Sequence, residues 1–310
     1  MSINILYCFD NNYEKQATTS MLSLLDKISE PVDLYIIHQH SKNYTNASEI
    51  IKRHKNTKSI NIFEFERNKI KFPNVVNSHV SEATYYRLFI EELLPLEIEN
   101  ILYLDCDIIC HKDPVGEIKN TFERLKETEY SIAVSNEEFE PEEKKEITNR
   151  LNIDADDYFN AGVMFIDLQK WKNNSIPTKA LEIISKESKN LKYWDQDILN
   201  MIYNKNSLSI SNKFNFMIDI QSKVGIPEDT LFLHYAGSFK PWTVRGAVEK
   251  NAVYYIENYR KLNLGDFHIT HTWRWASLIN LFKSILNFKI INTKKPLSFI
   301  KATIESLIRY

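Results

Sequence analysis

Glycine is scarce in this chain, with six residues in 310. No G-x-G-x-x-G, G-x-x-x-x-G-K-[ST] or G-x-S-x-G stretch occurs, which argues against a dinucleotide fingerprint, a P-loop and a nucleophile elbow. Cysteine is scarcer still. Cys8, Cys106 and Cys110 are odd in number and sit in apolar surroundings, which suits a reducing compartment better than a disulfide framework. Cys106, Cys110 and His111 lack both a CxxC pair and a second ligand pair, so a zinc site is not expected. No apolar run approaches the roughly 20 residues needed to span a bilayer. The chain opens directly as a strand at Ile3, with no basic leader and no cleavage site, so no signal peptide is expected. A formal net charge of -2 argues against a whole-protein nucleic-acid binder. A cytoplasmic protein is the expectation.

What is present is an ordinary globular composition, 43% hydrophobic and 26% charged, in a chain long enough for one large α/β domain with appendages or for two domains. Through the first 135 residues, strand-like and helical runs alternate. "INILYCF" (Ile3 to Phe9), "VDLYIIH" (Val32 to His38) and "SINIFEF" (Ser59 to Phe65) read as strands. Helical spacing follows the first of these, Asn46 to His54 reads as a helix, and "SEATYYRLFIEELLP" reads as a helix capped by Ser81 and stopped by Pro95. After "ILYLD" come a helix near Val115 to Leu125 and the strand "YSIAVS". This alternation predicts a largely parallel sheet with helices on both faces, whose ligands bind beyond the carboxyl ends of the strands.

Two of those ends carry acids, Asp10 and the pair Asp105 and Asp107. On an extended strand, residues i and i+2 point to one side. Two hard oxygen ligands could therefore face one Mn²⁺ or Mg²⁺, although solvated loop acids or helix caps would give the same pattern. His234 also ends an apolar strand, "LFLHY", where a satisfied core histidine is the plainer reading. As a third ligand it would favour Mn²⁺, because imidazole suits transition metals. Gly237 and Lys240 follow it, and a glycine turn beside a lysine offers a phosphate close backbone approach and one point charge. Together these residues outline a diphosphate site with a divalent metal. Two reactions use such a site: attack on phosphorus, and departure of a nucleotide diphosphate from a sugar carbon. The second needs polar groups around the sugar, and Arg87, Asn160, Asp195 and Gln196 stand in separate segments with polar entries.

The set resembles glycosyltransferase family 8, which includes glycogenin and bacterial lipopolysaccharide galactosyl- and glucosyltransferases. The matching stretches are "ILYCFDNNY", "SEATYYRLFIEELLP", "ILYLDCDII", "YFNAGVMFIDLQKW", "YWDQDILN" and "LFLHYAGSFKPW", in the family's order across residues 3 to 242. The resemblance implies a GT-A fold, a Rossmann-like mixed sheet flanked by helices. It also implies a UDP-hexose donor, Mn²⁺ with Mg²⁺ as the substitute, and retention of anomeric configuration. Asp105, Asp107 and His234 match the metal ligands. Cys8, Asp10, Asn12 and Tyr13 match the uridine loop, with Asp10 on the uracil and Cys8 contacting it through backbone. Asp105 and Cys106 fall in the donor-binding stretch, Gly237 and Lys240 match the diphosphate contacts, and Arg87, Asn160, Asp195 and Gln196 match the donor-sugar contacts. Gln196 matches the position of a nucleophile but is a poor one. A same-face reaction through an oxocarbenium-like ion pair therefore suits it better, with Gln196, Asp195 and Asn160 as the catalytic set.

The implied function is transfer of galactose or glucose from a UDP-sugar to a surface glycan or glycolipid such as lipopolysaccharide. Alternatives are a self-glucosylating, glycogenin-like protein, since the chain has 16 tyrosines, and a non-catalytic UDP-sugar binder. A haloacid-dehalogenase-type phosphotransferase reading of "LYLDCDII" would leave Asn160 and His234 without roles. Asp197 and the charged segment Asn136 to Asn152 are open candidates for the acceptor side, the segment as a flap or only as a solvated helix. Residues 1–250 are expected to form the catalytic domain and residues 251–310 a helical appendage. From His271 onward Arg274, Lys283, Lys289, Lys294, Lys295, Lys301 and Arg309 face one acid, Glu305. Trp275, Leu278, Leu281, Phe282 and Ile285 fall on one helical face. That pattern suits an amphipathic anchor on the anionic inner face of a membrane, or a helical layer packed on the catalytic domain.

Overall fold

The computed structural model describes residues 3–40, 49–66, 72–73, 81–222, 224–271 and 273–308. Among the described residues there are ten strands: β1 (Ile3–Phe9), β2 (Val32–His38), β3 (Thr57–Glu64), β4 (Asn100–Leu104), β5 (Ile108–Cys110), β6 (Ile132–Asn136), β7 (Phe159–Asp167), β8 (Leu208–Ser209), β9 (Phe216–Met217) and β10 (Phe232–His234). Seven make one sheet in the order β3-β2-β1-β4-β7-β6-β8, and three make a second in the order β5-β10-β9. In the large sheet β1 runs parallel to β2 and β4, and β2 parallel to β3. β7 runs antiparallel to both its neighbours, β4 and β6. The sheet is therefore largely parallel, and the reversed β7 makes it the mixed sheet that the family resemblance implies. β1 is buried along almost its whole length because helices cover both faces, which is why it reads as a continuous apolar run rather than an alternating one.

Three local expectations change. The stretch after Ser81 is a 3₁₀ helix over Glu82–Phe89 that becomes α-helical only at Ile90–Leu93, although Ser81 does cap it by accepting from the Ala83 N–H at 3.3 Å. Its aromatic side chains, Tyr85, Tyr86 and Phe89, pack inward, and tertiary packing overrides the local α preference. The helix expected from Asn46 is formed over Glu49–Lys52; residues 46–48 lie outside the described residues. Asp105 and Asp107 are not on an extended strand. They occupy the turn between β4 and β5, where the Ile108 N–H donates to the Asp105 carbonyl at 3.2 Å. The turn, rather than the two-residue period of a strand, brings the carboxylates together.

The end of the chain shares the main core. Tyr255, Tyr259, Leu281, Ile290 and Phe299 join the cluster that contains β1, and the helix Val253–Lys261 lies against the helix Glu14–Lys27. Of the apolar face expected on the helix Arg274–Leu286, only Leu281 packs into the core. The helix buries Ser277, Leu281 and Ser284, a narrow stripe at helical spacing, and turns Trp275, Leu278, Phe282 and Ile285 outward. Small residues in the buried stripe allow close approach, and the bulky apolar residues are left on the surface. Lys289, Lys294 and Lys295 pair with Glu249, Glu257 and Asp266, so part of the positive charge counted in the tail is neutralised from the preceding segment. Arg309 lies outside the described residues.

Gly246 sits where the helix Val244–Ala247 meets the loop carrying Lys240. A Cβ there would lie 2.0 Å from the Lys240 carbonyl oxygen, whereas one at Gly116 would meet nothing within 4 Å. Gly246→Ala is expected to cost about 1–3 kcal/mol and to lower the melting temperature. Gly116→Ala, in a helix, should leave it unchanged or slightly raised. Differential scanning fluorimetry on the two variants checks this.

Candidate active site

One edge of the large sheet gathers the polar residues. The carboxyl ends of β1, β4 and β6 and the amino end of the reversed β7 all open there, into a cavity of about 370 Å³. The second sheet closes the opposite side. β5 and β10 pair antiparallel with His234 opposite Ile108, so the residue before β5, Asp107, meets the last residue of β10. The Tyr235 N–H donates to the Asp107 carbonyl at 3.1 Å and fixes that meeting. The result is a cluster of Asp105, Asp107 and His234 whose ligand atoms lie within 4.8 Å of one another.

The donor set fits a divalent cation of the Mn²⁺ or Mg²⁺ type, two hard carboxylates and one imidazole. A buried atom without a hydrogen-bond donor points the same way. Asp107 Oδ1 faces His234 Nε2 at 3.2 Å and has no hydrogen-bond partner among the described residues. Its other oxygen accepts from Lys240 Nζ at 2.5 Å, and Lys240 also donates to the Tyr235 carbonyl at 2.7 Å. Burial alone would raise the Asp107 carboxyl. The neighbouring Lys240 ammonium and His234 more than reverse this and hold it well below the usual carboxylate range. Gly237 precedes Lys240 with φ of 75°, a left-handed turn that favours glycine.

Arg87 is the second organiser. It is buried, donates to Asp105 Oδ1 at 3.1 Å and to the Ala161 carbonyl at 2.6 Å, and pairs with Asp195 at 2.5 Å. Its guanidinium lies over the Tyr103 ring, 4.5 Å from the centroid. Burial opposes the guanidinium's charge, but Asp105 and Asp195 more than reverse this and bind its proton more firmly. Burial also pushes Asp195 up to about 6, although Arg87 and a hydrogen bond from Thr84 pull it down. Asp195 is thus a buried partner of Arg87, and the pair ties the 3₁₀ segment to the helix Trp194–Tyr203.

Gln196 and Asn160 belong to one amide network. Gln196 Oε1 accepts from the Ala161 N–H at 3.2 Å and from Asn160 Nδ2 at 3.2 Å, while Gln196 Nε2 donates to Glu137 at 3.1 Å and to the Tyr158 hydroxyl at 3.2 Å. Glu137 also accepts from Asn160 Nδ2 at 3.0 Å. Burial raises its carboxyl, and these two hydrogen bonds partly offset the rise. Asp197 does not reach the cavity. It is fully buried and accepts from Arg150, the Tyr158 hydroxyl and the N–H groups of Lys192 and Tyr193. Through Arg150 it is tied to the helix Pro141–Leu151, which makes up most of this charged segment.

Of the expected residues, Cys8, Tyr13, Arg87, Asp105, Cys106, Asp107, Asn160, Asp195, Gln196, His234, Gly237 and Lys240 line the cavity. Asp10 and Asn12 do not; Asp10 accepts from the Asn12 N–H at 3.0 Å and caps the turn that carries Tyr13. Two residues were not singled out from sequence. Glu137 stands at the carboxyl end of β6, a signal of the same kind as Asp105 but hidden in a run of acids. Asn215, between Phe214 and Phe216, carries no signal at all.

The model of the glycosyl transferase family 8 matches residues 4–245. Among curated proteins, the chain is 30% identical over 220 residues to a lipopolysaccharide 1,2-glucosyltransferase of Escherichia coli strain K12, covering 67% of this chain but 60% of that protein. It is 27% identical over 257 residues to a lipopolysaccharide 1,3-galactosyltransferase of Salmonella typhimurium, covering 79% and 74%. Among solved structures it is similar to the galactosyltransferase LgtC, which was solved with donor and acceptor sugar analogues. The TM-score is 0.69 and the identity 20%, over 89% of this chain and all of that one. This chain belongs to glycosyl transferase family 8 and is a glycosyltransferase with the GT-A fold.

Proposed function

We propose that this chain is a retaining hexosyltransferase that moves galactose or glucose from a UDP-sugar to a lipopolysaccharide-type glycan or glycolipid, with Mn²⁺ or Mg²⁺ as cofactor. The observation that carries the reading is the convergence of Asp105, Asp107 and His234 in the same cavity as Lys240, Arg87 and Gln196. That combination fits a nucleotide diphosphate and the sugar it carries. The names of the curated relatives support the acceptor class, and they include both a glucosyl- and a galactosyltransferase, so the proposal keeps both donors.

In this reading Asp105, Asp107 and His234 hold the cation, which when bound stabilises the charge of a departing diphosphate. Lys240 and the Gly237 turn take the diphosphate. Cys8, Asp10, Asn12 and Tyr13 take the uridine, with Cys106 beside them. Arg87 and Asp195 hold the donor sugar's hydroxyls, and Gln196 and Asn160 place amide oxygens where positive charge develops at the anomeric carbon. The bond from that carbon to the phosphate oxygen breaks, a bond to the acceptor oxygen forms on the same face, and the acceptor's proton passes to the leaving phosphate.

We also assign the transfer to residues 1–250 and association with an anionic, cytoplasmic membrane face to residues 251–310. In support, Trp273, Trp275, Phe282 and Phe288 are exposed in a segment where Arg274 and Lys283 make no ion pair among the described residues. No helix among the described residues is long and apolar enough to cross a membrane.

Two experiments test these readings. UDP release from a panel of UDP-sugars should require the metal, occur with one hexose, stop with EDTA, and fall at least about 100-fold in Asp107→Asn. Absence of release and of binding with every UDP-sugar would overturn the enzyme assignment. Flotation with vesicles containing an anionic phospholipid should capture the protein, and neutral vesicles should capture much less. Trp275→Asp with Phe282→Asp should abolish capture without changing UDP release; unaltered capture would remove the tail from the account.

A further inference from the structure

The orientation of the amides behind the metal cluster follows from two backbone N–H groups, which can only donate. The Gly162 N–H lies 2.9 Å from one terminal atom of the Asn160 side chain, so that atom is the oxygen. Asn215 also faces that oxygen at 2.9 Å, and must do so with its NH₂ group. The remaining Asn215 atom is then its carbonyl oxygen, and it lies 2.8 Å from His234 Nδ1. An oxygen there requires hydrogen on Nδ1. In the neutral imidazole, this leaves Nε2 with its lone pair directed at the Asp107 carboxylate. The Ala161 N–H fixes Gln196 Oε1 in the same way, and Asn160 donates to it at 3.2 Å. Asn215 is buried, with 4% of its surface exposed. Gly162 lets the backbone reach the ring, since a Cβ there would lie 2.4 Å from His234 Cε1.

We propose that Asn215 is a positioning residue: by accepting from His234 Nδ1 and donating to Asn160, it sets the imidazole tautomer that offers Nε2 to a divalent cation and ties that ligand to the Asn160–Gln196 pair. The inference rests on the metal reading above, and it adds a coupling between the metal ligand and the amides that face the sugar. A ligating histidine is commonly oriented through its other nitrogen, and loss of such a partner costs about 10–100-fold in metal affinity.

Two variants separate the two halves of the role. Asn215→Asp keeps an acceptor for Nδ1–H but sets an oxygen against Asn160 Oδ1, whereas Asn215→Leu removes both contacts. Mn²⁺ binding, read from the electron paramagnetic resonance signal of the free ion, should weaken about 10–100-fold in Asn215→Leu. In Asn215→Asp it should stay within about 3-fold of wild type while UDP release slows about 10-fold or more. A long-range ¹H–¹⁵N spectrum of the metal-free protein should place the His234 proton on Nδ1 in wild type and Asn215→Asp, and lose that preference in Asn215→Leu. Equal Mn²⁺ affinity in wild type and a folded Asn215→Leu, or a wild-type proton on Nε2, would overturn the role of Asn215 alone. A wild-type protein that binds no Mn²⁺ would overturn the metal reading and this inference with it. Should Asn215→Leu not fold, equal losses of affinity and rate in Asn215→Asp would also overturn the proposal.

Discussion

Like charges at Asp105 and Asp107 are held in a single turn, at the mouth of a sheet whose strands are buried on both faces. Such a pair is costly in a poorly solvated place unless positive charge meets it. In this structure Arg87 meets Asp105 and Lys240 meets Asp107, whose other oxygen faces the His234 imidazole. Each of these three groups arrives from a different part of the chain. The constraint therefore reaches well beyond the turn, because the 3₁₀ segment, the second sheet and the loop after β10 must all close on the same point.

The closure uses few degrees of freedom. The β5–β10 pairing fixes where His234 stands relative to Asp107, and the reversed β7 brings Asn160, Ala161 and Gly162 to the edge where the parallel strands end. Two backbone N–H groups on β7 then orient the amides, and Gly162 leaves room for the imidazole. The Arg87–Asp195 and Arg150–Asp197 pairs hold the helix Trp194–Tyr203 from two sides, with Gln196 between them. Buried ion pairs of this kind contribute little net stability but penalise alternative arrangements, since separating either would leave a charge without a partner.

Much of this was legible in the sequence, and the reasons for the rest are specific. Strands β1 and β2 were readable to the residue because continuous apolar runs bounded by polar residues leave little choice. The acids at the end of β4, the His234 strand and the Gly237–Lys240 loop were readable as strand-end chemistry. The reversal of β7 was not, because strand direction depends on connections rather than on residue type. Asn215 was invisible: a neutral amide between two phenylalanines becomes meaningful only once β9 has paired with β10. In the helix Arg274–Leu286 the apolar spacing was legible but the packed side was left open, and only the structure shows Ser277, Leu281 and Ser284 facing inward. Glu137 obeyed the strand-end rule and was masked by its acidic neighbours.

The central claim is that a single divalent cation sits among Asp105, Asp107 and His234 and receives the diphosphate of a UDP-sugar beside Lys240. A crystal structure with Mn²⁺ and UDP, recorded at a wavelength where manganese scatters anomalously, tests it most directly. The account predicts one strong anomalous peak bonded to both aspartates and to His234 Nε2, with diphosphate oxygens completing its coordination. A peak elsewhere, or UDP bound in the cavity with no metal at these three residues, would contradict it.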